Sequence, residues 1–410
     1  MVVAAFVAPY LLEATARFVL CAARIPGVRL GVITTEPVDR LSPELREALA
    51  GHWRVEDALD PQQIADAVRG LAGQLGGPVE RLIGALEQLQ VPLAEVRDAL
   101  GIPGMTAEVA RNVRDKSRMK SVLRAAGVPC ARHQLVSRTE EATNFLAEVG
   151  LPLVAKPPDG AGAKATYRLD TEADFASWLG AARANPAEIW LLEEFLTGRE
   201  HTFDSVTVGG ETLWSSISDY QPPPLEVLRT PWVQWTVLLP RDIGGAEYDA
   251  IKQIGPAALR ALGVDTAFTH MEWFERPDGS VAVSEVGARP PGAQLASMIG
   301  FSHGVDFYTL WAELVLLDRF EPPDRIFATG TAYLRGMGRG VVRTVHGVDE
   351  VQHDIGELVV DARLPRPGQP ASTSYEGEGF VTVRHTDTAV VRQALDRIIT
   401  GLRVELEEVL

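Results

Sequence analysis

Thr269-His270-Met271-Glu272-Trp273-Phe274-Glu275-Arg276-Pro277-Asp278-Gly279-Ser280-Val281-Ala282-Val283-Ser284-Glu285-Val286-Gly287-Ala288-Arg289-Pro290-Pro291-Gly292 reads as two strands folded about a turn. Asp278-Gly279 between apolar runs is a strong hairpin signal. Folding there lays Glu272 and Glu285 on neighbouring strands, with Arg289 just past the second. Hard cations such as magnesium take oxygen ligands and bridge a few carboxylates to phosphates. A surface hairpin with two solvated glutamates is the competing reading of this run alone.

Upstream, Gly150-Leu151-Pro152-Leu153-Val154-Ala155-Lys156-Pro157-Pro158-Asp159-Gly160-Ala161-Gly162-Ala163-Lys164-Ala165-Thr166-Tyr167-Arg168-Leu169 reads as a strand ending in lysine, a small-residue loop and another strand. Such a loop lets consecutive N–H groups approach phosphate oxygens closely. No Gly-Lys-Ser/Thr opens a following helix, so it is not a P-loop. A strand follows where the dinucleotide fingerprint requires a helix. An ordinary hairpin turn is the competing reading.

The chain has 410 residues and a net charge of −16. That length holds two or three domains with real cores. The acidic balance argues against nucleic acid or an anionic membrane as partner, while local lysines and glycines still suffice for a nucleotide. Cys21 and Cys130 are the two cysteines. They imply no disulfide framework, fit a reducing cytoplasm and read as buried small hydrophobes. No stretch is long and apolar enough to span a bilayer. The first twenty residues carry Glu13 and Arg17 and lack the pattern of a leader.

Residues 1–103 alternate strand and helix, beginning with a buried strand at Val2–Val7, and read as a Rossmann-like parallel α/β layer. A strand over Arg81–Leu86 would put Glu87 at its carboxyl end, where ligands gather in open α/β sheets; a cap or a solvated glutamate is the alternative. Thr106 reads as the N-cap of a long helix through Ala126. Its charged run, Arg114-Asp115-Lys116-Ser117-Arg118-Met119-Lys120, reads by default as a solvated face. Residues 132–197 mix strands and helices. Trp190–Glu200 is strand, connector and strand. Residues 198–320 are mostly strands, with a proline-rich excursion over Gln221–Pro231, a helix near Glu247–Leu262 and another over 304–318. Residues 321–410 read as a further α+β unit, with strands at Thr329–Arg335, Gly340–Val345, Leu358–Val360 and Phe380–Val383 and a last helix at Ala389–Leu402.

Taken in order, these segments resemble the ATP-grasp superfamily and, within it, the carboxylate–amine ligases, a group that includes enzymes similar to L-amino acid ligases and to biotin carboxylases. The resemblance rests on Arg114-Asp115-Lys116, the Ala155-Lys156-Pro157 strand end and its loop, Glu193-Glu194-Phe195-Leu196 with Glu200 following, and the Glu272/Glu285 pair closed by Ala288-Arg289-Pro290. It implies an ATP-grasp fold of the α/β (α+β) class. A pre-ATP-grasp domain would occupy 1–103. The ATP-grasp domain would occupy 104–320, with its smaller lid-like part at 132–197. The unit at 321–410 would complete the site.

Carried over residue by residue, the resemblance implies that Lys116 and Lys156 reach the phosphates of ATP. Gly160, Ala161 and Gly162 would cover the β- and γ-phosphates. Glu193, Glu194, Phe195 and Leu196 would form the adenine edge, and Glu200 would take the ribose. Glu272 and Glu285 would hold magnesium, with manganese as a substitute, and Arg289 would meet the γ-phosphate or an acyl phosphate. Glu87, His201, His270 and Trp235 are the substrate candidates, each histidine having a packed or capping role as its alternative. Glu226, Trp232 and Trp235 would wall the substrate pocket, against ordinary aromatic packing.

The chain departs from many relatives in carrying Gly287 where an asparagine is common, and Lys164 in the loop. The implied activity joins a small-molecule carboxylate, an amino acid or small peptide, to an amine through an acyl phosphate. The monomer or a homodimer would be the working form. A biotin-carboxylase-like or purine-pathway carboxylase shares the same ATP machinery, and a non-catalytic nucleotide-binding regulator is the reading of another class.

Overall fold

The computed structural model describes residues 1–158, 166–183, 189–230 and 232–408. The N-terminal strands Val2–Val7, Val28–Thr34, Gly51–Arg54 and Arg81–Ile83 form a parallel sheet in which Val2–Val7 lies between Val28–Thr34 and Arg81–Ile83. Their nearly continuous apolar runs suit a sheet covered on both faces. On one face packs the helix Pro61–Leu75, started by the Asp60 side chain and ended by Gly76 in the left-handed region at φ 70°. On the other packs the helix Glu13–Ala23, whose Phe18 meets Trp311 at a ring separation of 4.9 Å. That contact ties the first domain to the helix Phe307–Leu317 of the large domain.

A small antiparallel sheet follows, in the order His133–Val136, Trp190–Glu194, Leu153–Lys156, Tyr167–Leu169. Helices Thr139–Val149 and Glu172–Arg183 bury its apolar residues. The large sheet has eight strands. It runs from Val281–Gly287 through Ala267–Glu275, Arg199–Val208, Glu211–Gln221 and Trp235–Leu239, and then continues into Ala328–Leu334, Gly379–His385 and Val359–Arg363.

Several sequence expectations need correction. The tail is not a separate layer: three of its strands extend the large sheet, while Val341–His346 pairs with Arg403–Glu407 in a two-stranded sheet of its own. The long helix after Thr106 is two helices, Ala107–Arg114 and Lys116–Ala125. Asp115 is extended between them, and its carboxylate accepts from the N–H groups of Ser117 and Arg118, capping the second helix. The strand beginning at Arg81 ends at Ile83, and Glu87 opens a short turn of 3-10 helix. The helix Leu295–His303 is apolar on nearly all sides and buried, so it lacks the one-sided pattern that marks surface helices. The proline-rich excursion contains the helix Pro224–Arg229, with Pro224 at its first turn, where the missing N–H has no helical partner to lose.

Candidate active site

The hairpin about Asp278-Gly279 forms, and Glu272 stands directly opposite Glu285 in its register. A bulge follows this pair, so Ser284 drops out of the pairing and Trp273 faces Val283. Bulges of this kind re-aim side chains beside active sites. On the other side of the hairpin's first strand, Glu272 faces Thr202, Phe274 faces Glu200 and His270 faces Asp204. Period-two alternation therefore gathers Glu200, His270, Glu272 and Glu285 on one face. That face opens into a cavity of about 470 Å3 lined from the N-terminal layer, the small sheet and the large sheet.

The cavity collects nearly all the sequence candidates. Lys116, Lys156, Glu193, Glu194, Phe195 and Leu196 line it from the small sheet and the helix start. Glu200, His270, Glu272, Glu285 and Arg289 line it from the large sheet. Glu87 reaches it from the first domain and Trp235 from the far wall. Gly160, Ala161, Gly162 and Lys164 lie outside the described residues.

His201 is the exception among the substrate candidates. It neighbours Glu200 in the same strand, so it points to the opposite face. There it is buried, stacks on Trp273 at a ring separation of 4.5 Å and shares a hydrogen bond of 2.7 Å with Asp219 through Nδ1. It is a packed histidine and does not line the cavity. Glu226 and Trp232 are exposed and do not line it either; Tyr220, Leu225, Leu228 and Trp235 form that wall. Trp235 is wholly buried, stacked on Tyr333 and donating from Nε1 to the Tyr375 carbonyl at 2.7 Å.

The charge run is not a solvated face. Lys116 and Lys120 stand four residues apart, one turn of helix, and both are buried. Lys116 Nζ lies 2.9 Å from Glu285. Lys120 Nζ lies 2.9 Å from Glu193 and donates to the carbonyl of the bulged Ser284 at 2.7 Å. Lys156 Nζ meets the other oxygen of Glu193 at 2.7 Å. Burial works against ionisation of Glu193, but Lys120 and Lys156 overcome it and hold its pKa at about 2. Burial also pulls the Lys120 ammonium down from its ordinary value, in spite of Glu193. Sequence reasoning missed Lys120. Its signal was the one-turn spacing from Lys116, on the same side as Met119 and Leu123, which are themselves fully buried.

The two facing acids are pushed apart in behaviour. Burial and then the charge of Glu285 raise the pKa of Glu272. Glu285 is also desolvated, yet Lys116 and Lys156 overcome that and hold it below the ordinary value. Burial, followed by the charge of Glu272, pushes Glu200 well above the carboxylate range. A buried acid raised by a second acid is a site short of positive charge, and a divalent cation between carboxylates supplies it. The oxygen-only donor set of Glu272 and Glu285 fits a hard cation such as magnesium.

Arg289 donates from Nε to Glu87 and from Nη1 to the Pro290 carbonyl at 2.9 Å. Arg114 comes within 3.8 Å of the same glutamate. Gly287 lies against this pair. A Cβ built there would sit 3.3 Å from Glu87 Oε2 and 3.7 Å from the Arg289 side chain. A side chain at 287 would make the Glu87 carboxylate give by a few tenths of an ångström. His270 gives its Nδ1 edge to buried Asp204 at 2.7 Å while its ring lines the cavity. At the connector, the Phe195 N–H donates to the Pro152 carbonyl at 3.2 Å, and the Arg168 guanidinium lies 4.1 Å from the centre of the Phe195 ring.

No family model matches the chain. An L-arginine-specific L-amino acid ligase of Bacillus subtilis is 25% identical over 254 residues, which are 60% of this chain and 60% of that protein. The chain thus spans well under two thirds of the length of that relative. The crystal structure of an L-amino acid ligase from Bacillus licheniformis matches with a TM-score of 0.77 and 19% identity, over 100% of this chain and 99% of that one. An N5-carboxyaminoimidazole ribonucleotide synthetase from Thermotoga maritima matches with a TM-score of 0.71 and 18% identity, over 99% of this chain and 100% of that one. At these identities the solved structures speak for the fold. Sequence relatives, fold and the order of the motifs around one cavity agree: the chain has the ATP-grasp fold and is similar to carboxylate–amine ligases that share it.

Proposed function

We propose that the protein is an ATP-dependent ligase that joins a small carboxylic acid, an amino acid or short peptide, to an amine and releases ADP and phosphate. The observation that carries this reading is one cavity holding the facing Glu272 and Glu285, the buried Lys116, the partly buried Lys156, and Arg289. Phosphoryl transfer is mostly positioning and neutralisation of charge, and these residue types supply both.

In this reading a substrate carboxylate oxygen attacks the γ-phosphorus of ATP. The bond to the bridging oxygen breaks, leaving an acyl phosphate and ADP. The amine nitrogen then attacks the acyl carbon, phosphate leaves and the amine loses a proton. Magnesium, or manganese in its place, would be held by Glu272 and Glu285 and would neutralise phosphate charge. Lys116 and Lys156 would meet phosphate oxygens from the small-domain side. Glu200, on the same face of the sheet as Glu272, would take the ribose hydroxyls. Arg289, oriented by Glu87, would steady the transferring group and the acyl phosphate. Enclosure between three domains keeps water from a hydrolysable intermediate. The loop at 160–162 remains part of the proposal as the cover over the phosphates.

The test is nucleotide and phosphate release with magnesium and a panel of amino acids, singly and in pairs, with products read by mass spectrometry. ADP, phosphate and an amide are expected only when acid and amine are both present. AMP with pyrophosphate would overturn the reading. Turnover driven by bicarbonate in place of an acid would replace it with the carboxylase alternative.

A further inference from the structure

Tyr375 lines the cavity from the C-terminal unit, on the segment that joins the strands Val359–Arg363 and Gly379–His385. That segment is tied down. The Glu378 carboxylate accepts from the N–H groups of Gly336 and Ser372, each at 2.9 Å, and the Glu378 N–H donates to the Leu334 carbonyl at 2.9 Å. Gly377 turns the chain at φ 69°, where a Cβ would run into the Leu334 carbonyl. Trp235 fixes the tyrosine itself. Its Nε1 donates to the Tyr375 carbonyl at 2.7 Å, and the two rings meet edge to face at 5.7 Å. The hydroxyl then lies against Gly292, 3.9 Å from where a Cβ would stand. Gly292 follows Arg289 by only two prolines. Among the described residues the Tyr375 hydroxyl makes no hydrogen bond. Arg289 uses Nε on Glu87 and Nη1 on the Pro290 carbonyl, and its Nη2 has no hydrogen-bond partner among the described residues. Burial, then the charges of Glu376 and Glu272, push the Tyr375 pKa up to about 12 against the pull of Arg289, so the hydroxyl keeps its proton and can donate.

We propose that the Tyr375 hydroxyl, with Arg289 Nη2 beside it, holds the carbonyl oxygen of the acyl phosphate and stabilises the negative charge which that oxygen takes when the amine attacks. The proposal rests on the ligase reading and adds a catalytic residue to it. In the second step the amine nitrogen bonds to the acyl carbon, and one electron pair of the C=O bond moves onto oxygen. The pair returns as the bond to the phosphate oxygen breaks, and the nitrogen loses its proton to the departing phosphate. Tyr375 keeps its own proton throughout. Lys116 and Lys156 meet the cavity from the helix start and the small sheet, the side given to the phosphates of ATP. Tyr375 meets it from the C-terminal unit, beside the arginine assigned to the acyl phosphate. The acyl oxygen gains full charge only in the amine step, so a donor aimed at it lowers that barrier more than it strengthens nucleotide binding. A neutral donor held in place, as this one is by Trp235 and Glu378, needs no reorganisation when the charge appears.

Tyr375→Phe removes the hydroxyl and keeps the ring against Trp235. The substrates are ATP, magnesium and the amino acid pair that releases most ADP in the panel above. The single-turnover rate of amide formation is expected to fall at least tenfold. The melting point, and its rise with MgADP, are expected to match the parent's, because the hydroxyl has no partner among the described residues to lose. A second measurement separates the two steps. With the acid present and the amine left out, ATP carrying heavy oxygen in its β–γ bridge scrambles that label as the acyl phosphate forms and reverts. This exchange is expected to run in the variant at close to the parent's rate. Parent-like amide formation in Tyr375→Phe would overturn the proposal and leave the ligase reading standing. Exchange lost as severely as amide formation would also overturn it, for the hydroxyl would then serve acid or ATP binding. Absence of ADP from the parent with every pair would sink the ligase reading, and this role with it.

Discussion

At the scale of single residues, Arg289 is the sharpest case. Its ion pair with Glu87 is not a surface pair, for the two side chains are only 23% and 14% exposed. A planar guanidinium bonded at Nε and Nη1 is held in one orientation, which an ammonium cannot reproduce. Arg289→Lys is therefore expected to lower kcat at least tenfold, about 1.4 kcal/mol in the barrier, with the dissociation constant for ATP little changed. Steady-state kinetics beside nucleotide titration check this, and parent-like kcat would return Arg289 to a packing role. Glu285→Gln tests the facing acids. It removes a partner of Lys116 but also the repulsion that raises Glu272. These changes oppose each other, so a melting point close to the parent's is expected together with collapse of turnover, several kcal/mol in the barrier. Ordinary turnover at saturating magnesium would remove Glu285 from the metal site.

At the scale of elements, the buried lysines show how a helix is set against a sheet. Lys120 fastens the helix Lys116–Ala125 to Glu193 of the small sheet and to the bulged Ser284 of the large one. Lys120→Met keeps the length and removes both bonds. Glu193 would retain Lys156, so the loss falls below that of a fully broken buried pair, at about 2 kcal/mol. Nucleotide affinity should weaken as well, since Glu193 would then bear on Lys156 alone and hold it from the phosphates. Urea unfolding and ATP titration measure the two effects; an unchanged unfolding midpoint would show the pair to be neutral.

The helix Leu295–His303 carries a second consequence, for pH. Its last residue is buried, donates from Nδ1 to the Ile299 carbonyl and leaves Nε2 without a partner. Burial, partly offset by that hydrogen bond, pulls the His303 pKa down to about 4. The unfolded chain takes up a proton near pH 6.5 that the folded chain refuses until pH reaches about 4. Stability from this group is thus complete above the unfolded value and lost as pH falls towards the folded one, by up to about 3 kcal/mol. Denaturant unfolding at pH 7.5 and 4.5 should show the loss, and His303→Leu should reduce it. A pH dependence identical in parent and variant would exclude His303 as its source.

At the scale of the molecule, the cavity takes its walls from the N-terminal layer, the small sheet and the large sheet together. A ligand that touches all three binds the folded state alone, and at a hundred times its dissociation constant it adds about 2.7 kcal/mol to stability. MgADP should therefore raise the melting point, and EDTA should remove the magnesium-dependent part of that rise along with turnover. An unchanged melting point at millimolar MgADP would deny that the cavity is the nucleotide site. Among the described residues no helix is long and apolar enough to cross a membrane.

Local patterns were enough to read much of this from the chain. Asp278-Gly279 specifies a turn by its own backbone preferences, but the regular register from that turn would set Glu272 opposite Ser284, and the bulge at Ser284 is what brings Glu285 opposite Glu272. The order of lysine, glutamate and arginine motifs, and with it the superfamily, was equally legible. Contacts far apart in the chain were not. Glu200 and His201 look alike as candidates in sequence, but a strand sends neighbours to opposite faces, and only the sheet's layers show which face holds the cavity. The helix after Thr106 breaks at Asp115 because that side chain caps a new helix, an outcome that competes closely with continuing the old one. Lys120 resembles a solvated charge until Glu193 and Ser284, 73 and 164 residues later, are placed on it. Gly287 reads as a missing metal ligand, and only the folded chain sets the Glu87 carboxylate against it. The sequence by itself determined the hairpin turn and many of the strands and helices, because those depend on propensities and spacings of a few residues. Tertiary structure alone decided which charges are buried and paired and which walls are apolar, because pairing and desolvation depend on groups from distant parts of the chain that meet only in the folded sheets.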